Sequence, residues 1–153
     1  MRRNLLPRLV LAALLVAVPT FGSGAPPNQY QQFDRDATEI FDVQTQLHWQ
    51  RQIQPKATLD GSATFCDLSF GVGRVPTVKE LLTLIDEAPH QEYVLNALVN
   101  KMIDQNAFPD TPVDQPYWTT SPAGGGQVWT VNFSTGAMTA MAPTGQAYFR
   151  CVK

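Results

Sequence analysis

Two cysteines, Cys66 and Cys151, and two histidines, His48 and His90, are the side chains best suited to covalent, acid–base or metal chemistry. A nucleophile needs a base beside it, and a zinc site needs several ligands at close spacing. His48 lies between Leu47 and Trp49 in a strand-like run, and His90 follows Pro89 in a loop-like one. No cysteine or carboxylate stands at ligand spacing from either, so both read as structural or solvated. The expectation is no catalytic residue, no bound metal and no cofactor. Calcium takes about six to eight oxygen ligands. The candidates Asp110, Asp114, Gln115 and Asn132 include only two acids, which suits an ordinary polar loop. Trp49, Trp118 and Trp129 could stack on a sugar, but each sits in a strand-like apolar run that suits a core. Gly124, Gly125 and Gly126 could cradle an anion. They lack the helix and lysine of a phosphate loop, and read as a turn.

The cysteines read differently once the compartment is considered. Arg2, Arg3 and Arg8 precede an unbroken apolar run from Leu9 to Val18, and small residues follow Pro19. That is the layout of a secretory signal peptide over residues 1–25. The run between Pro7 and Pro19 is shorter than the ~20 residues that span a bilayer. The chain is therefore expected to be exported, to the periplasm or cell surface, with no membrane span after cleavage. In an exported chain an even cysteine pair implies a disulfide. A bond between Cys66 and Cys151 would close a loop of 151 − 66 = 85 residue steps. The formal net charge is −2, and the leader holds three of the 11 basic residues and none of the 13 acidic ones, leaving 8 − 13 = −5. That balance argues against nucleic acid as a partner.

The elements that position these residues fall into two halves. Residues 26–32 read as a polar leader, and one domain fills 33–153. Ile40 to Gln50 suggests two short strands around a turn. Pro55 to Leu68 suits a short helix starting near Asp60 or Ser62. The best-marked helix start is at Thr77, with Glu80 at capping-box spacing. Val78, Leu81, Leu82 and Ile85 then form one apolar stripe, which predicts a helix to about Asp86. Glu92 to Ile103 shows similar spacing at Tyr93, Leu95, Leu98, Val99 and Met102, and predicts a third helix. From Tyr117 onward, short aromatic and β-branched runs predict an antiparallel meander of three or four strands. Helices first and strands later give an α+β domain.

Several segments together resemble one family. They are Asp42, Thr45, Leu47, Trp49 and Gln50, then Cys66, then RVPTVKELLTLID at 74–86 and AFPDTP at 107–112. YWTTS at 117–121, VWTVNFSTG at 128–136 and FRCVK at the end complete the series. In this order they resemble the bacterial Lcl C-terminal domain family, a domain of unknown function. The resemblance implies a C-type-lectin-like fold shared with formylglycine-generating enzymes. Two or three short helices would pack on a small twisted antiparallel sheet, and a disulfide would tie the first helix to the last strand. Cys66 and Cys151 occupy those places. The family usually carries Gly where this chain has Gln46, and Trp where it has Gly73. Residues 88–101 fit the family pattern poorly.

The resulting expectation is an exported, non-catalytic binding module that presents loops to a surface glycan or an envelope protein. The loop from Phe108 to Pro116 and the turn from Pro122 to Gln127 are the places to look. Two alternatives stand beside it. An enzyme of formylglycine-generating ancestry would need a free Cys151. A structural subunit of an envelope or pilus assembly would self-associate.

Overall fold

The capping box at Thr77 forms as its sequence predicts. A computed structural model describes residues 25–32, 38–94 and 96–153. In it, Thr77 Oγ1 accepts from the Glu80 N–H at 3.3 Å, and Glu80 Oε2 accepts from the Thr77 N–H at 2.8 Å. The expected leader up to residue 24, Phe33 and Leu95 lie outside the described residues. Among the described residues, no helix is long and apolar enough to cross a membrane.

In chain order the elements are β1 (Tyr30–Gln31), β2 (Glu39–Asp42), β3 (Leu47–Gln50), β4 (Gln54–Ala57), α1 (Leu59–Ser69) and α2 (Val78–Leu82). Then come β5 (His90–Val94), β6 (Ala97–Lys101), β7 (Pro116–Gly124), β8 (Gln127–Asn132), β9 (Met138–Met141) and β10 (Ala147–Phe149). The strands form three sheets, ordered β1-β2-β3, β4-β10-β7-β8-β9 and β5-β6.

This overturns the expected α+β, C-type-lectin-like plan. The regular structure of the described residues is mostly strand, and their two helices span only 11 and 5 residues. Three local causes account for the difference. First, α2 stops at Leu82. The N–H groups of Thr83, Leu84 and Ile85 donate to the carbonyls of Glu80, Leu81 and Leu82, so the chain tightens into i→i+3 bonds. Leu81 and Leu84 are buried, and Val78, Leu82 and Ile85 still pack on the same core. Second, the predicted third helix is the β5–β6 hairpin, with Tyr93 paired to Leu98 and Glu92 to Val99. Asn96 takes φ 66° there, a left-handed conformation that turns the chain and stops a helix. Third, only β7, β8 and β9 form a meander. β10 crosses to the far side of β7 and pairs with it in parallel at Tyr148 and Tyr117, and with β4 antiparallel. The sheet is therefore mixed and five-stranded.

The disulfide is present. Cys66 on α1 joins Cys151, just past β10, with the Cα atoms 5.3 Å apart and both residues fully buried. α1 starts at Leu59, close to the expected Asp60, and Thr58 caps it by accepting from the Gly61 N–H at 3.2 Å. The segment after β10 then stitches the molecule together. Val152 bridges both Trp49 and Arg74, and Lys153 exchanges main-chain hydrogen bonds with His48.

Two predictions arise here. Gln46 closes the β2–β3 turn at φ 60°, a conformation that strains any residue with a Cβ. Its Nε2 donates to the Val43 carbonyl at 2.7 Å, which offsets part of that strain. Gln46→Gly is expected to raise stability by about 0.5–1 kcal/mol in urea unfolding. The second concerns acid. The Arg74 guanidinium, gripping both Glu80 oxygens at 2.8 and 2.6 Å, holds the Glu80 carboxyl at about 2, aided by the Thr77 N–H and hydroxyl. The ordinary value is 4.5. The stabilisation is therefore complete above that value and is lost as pH falls from there towards about 2. Thermal unfolding followed from neutral pH into acid should show this loss, and Glu80→Gln should flatten it.

Candidate functional site

The residues with chemical potential mostly serve the framework. His48 Nδ1 pairs with Glu39, and its ring lies 4.8 Å from that of Phe41. Glu39 also meets Lys153 Nζ at 2.8 Å. His90 opens β5 opposite Lys101. Trp49 and Trp118 are fully buried, while Trp129 is half-buried on β8. Gly125 and Gly126 have φ 59° and 76° between paired Gly124 and Gln127. That is a two-residue hairpin turn with positive φ at both positions, which glycine serves best. Of the calcium candidates, Gln115 accepts from Lys56 Nζ at 2.6 Å. Asn132 Oδ1 accepts from the Ser134 N–H and hydroxyl at 2.9 and 2.8 Å, holding the β8–β9 turn. Among the described residues, no group of three or more His, Cys, Asp or Glu is placed to hold a metal.

Asp110 is different. It is exposed and sits at φ 56° in the loop singled out at 108–116. A left-handed non-glycine residue persists only where its surroundings enforce it. Here the enforcing group is Arg150, which is wholly buried. Its Nη1 donates to the carbonyls of Gln50 and Arg51 at 2.5 and 2.6 Å, and its Nη2 donates to Thr111 Oγ1 at 2.9 Å. Thr111 Oγ1 in turn donates to the Phe108 carbonyl at 2.7 Å. The guanidinium also lies over the Phe108 ring, 4.6 Å from its centroid. One buried cation therefore fastens the end of β3 to both ends of the Phe108–Thr111 loop. No carboxylate pairs with it among the described residues, and burial pulls its pKa down to about 10. It remains charged at neutral pH, held by carbonyl dipoles and an aromatic face.

Between the two fastened segments lies a pocket of about 300 Å³ lined by Arg51, Gln52, Ile53, Pro109 and Asp110. Arg51 makes no side-chain hydrogen bond or ion pair among the described residues, so its donors face no internal acceptor. Asp110 supplies an acceptor, Gln52 both functions, and Ile53 and Pro109 an apolar floor. Such a pocket can bind a neutral polar ligand with both hydroxyl and C–H faces. Sequence reasoning picked out the loop with Asp110 but missed Arg51 and Arg150. The available signal was a cation inside the apolar run from Tyr148 to Val152.

These features define a disulfide-tied, mostly β domain with a loop-borne pocket. The chain belongs to the Lcl C-terminal domain family, a domain of unknown function, which matches it over residues 38–153. Among curated proteins, none matches the chain significantly.

Proposed function

We propose that this protein is an exported, non-catalytic binding module whose pocket between Arg51 and Asp110 takes a neutral surface glycan. The observation that carries this reading is the Arg150 clamp, which holds a strained acidic loop against a free arginine. Rigid presentation of a loop lowers the ordering cost of binding. Sugar hydroxyls match the donor and acceptor pair, and sugar C–H faces match Ile53 and Pro109. An acid beside the arginine disfavours sulfated ligands by like-charge repulsion. Cys151 is held in the disulfide, which supports a binding role over the formylglycine-type chemistry that needs a free thiol.

A glycan array probed with the wild-type protein tests the proposal. Wild type should bind a neutral glycan, and Asp110→Ala or Arg51→Ala should weaken binding about tenfold or more while leaving the circular dichroism unchanged. Absence of glycan binding, with capture of an envelope protein through the same two residues, would favour the protein partner instead. N-terminal sequencing of protein recovered outside the cytoplasm tests export, with a start near residues 22–26 expected.

A further inference from the structure

The five-stranded sheet finishes its two edges differently. At one edge, β4 carries Pro55 and Lys56, both of which obstruct pairing with another strand. At the other edge, β9 lies within AMTAMA at 137–142, with neither charge nor proline. Met138 is 48% exposed. No charged residue occurs anywhere from 115 to 149. Two copies of a net-acidic chain can meet at this edge without like charges in contact.

The phase of the ladder shows which main-chain groups are available. The Asn132 N–H donates to the Ala137 carbonyl at 3.0 Å. Thr130 stands opposite Thr139, and Val128 opposite Met141, in the same register. Thr139 and Met141 therefore turn their N–H and C=O groups towards β8, as Ala137 turns its carbonyl. Met138 and Ala140 turn theirs outwards, where no other strand pairs among the described residues.

We propose that β9 pairs antiparallel with β9 of a second copy, about a twofold axis at Thr139. Met138 then stands opposite Ala140 of the partner subunit, and Ala140 opposite the partner's Met138. Each of these pairs exchanges both its N–H···O bonds. A large side chain meets a small one in both, and Thr139 meets the partner's Thr139 at a Cα spacing of about 4.5 Å. Neighbouring registers fit less well. Moving the axis by half a residue, to a point between two residues, opposes outward-facing groups to inward-facing ones. Moving it to Ala140 enlists the Ala142 carbonyl, which already accepts from the Gly145 N–H at 2.8 Å. Moving it to Met138 enlists the Gly136 N–H, which already donates to the Asn132 carbonyl at 2.8 Å. The twofold at Thr139 alone uses only free groups, and it joins two sheets into one.

Sedimentation velocity on the protein purified as the cell makes it should show a reversible, concentration-dependent dimer. Ala140→Pro removes an outward N–H and leaves the bonds to β8 intact, so it should weaken the dimer about tenfold or more. Ala140→Lys, which adds a charge to the edge, should do the same if the proline variant fails to fold. Thr139→Cys should form an intermolecular disulfide on mild oxidation, since the spacing suits one. A wild-type monomer at about 1 mM would overturn the proposal. So would a dimer that both folded Ala140 variants retain, or one in which Thr139→Cys fails to cross-link.

Discussion

Replacing Cys66 and Cys151 together with alanine is expected to lower the unfolding free energy by ~4–5 kcal/mol. The bond joins residues 85 apart in sequence, and the entropy it removes from the unfolded chain grows with the logarithm of that loop. The effect is large against the ~5–15 kcal/mol that separates most folded domains from unfolded ones. Both sulfurs are inaccessible, so reductant should act chiefly on opened molecules. Chemical unfolding of the oxidised protein and of the double variant measures the difference directly. A gap below about 1 kcal/mol would show that the unfolded chain is already constrained near these residues.

Arg150→Ala should cost about 3–4 kcal/mol, the second-largest effect. The change strands the buried carbonyls of Gln50 and Arg51, frees Thr111 Oγ1 and leaves a space beside Phe108. Arg150→Met should recover part of the packing and none of the hydrogen bonds. Arg150→Lys should rescue little, because an ammonium cannot span three acceptors in a planar fork. Loss of ligand binding should exceed what the fraction unfolded explains, since the pocket would lose the tie between Arg51 and the Asp110 loop. Urea unfolding with glycan binding measured on the folded variants separates the two contributions.

The local signals in the sequence were most legible where one short segment settles its own structure. Thr77 and Glu80 cap α2 as their spacing predicts, and the Ile40–Gln50 run forms β2 and β3. The cysteine pairing was legible from parity and expected compartment. What misled was helical spacing in a segment that also satisfies a strand. Tyr93, Leu98 and Val99 fit both periods, and Asn96 decided between them through a backbone angle that composition does not display. The place of β10 was hidden for another reason: its partners, β4 and β7, are chosen by long-range packing. The pocket was half legible. The loop around Asp110 could be named because its prolines exclude regular structure. The arginine holding it lies forty residues on in sequence (150 − 110), and nothing local to Arg150 says where its fork points.

The stitch made by Val152 and Lys153 governs the order of events during synthesis. These residues leave the ribosome after every strand they join. Until they emerge, β3 and the Arg74 segment have nothing between them, and Cys66 has no partner sulfur. The nascent polypeptide therefore lacks both the stitch and the disulfide until residues 151–153 have been made.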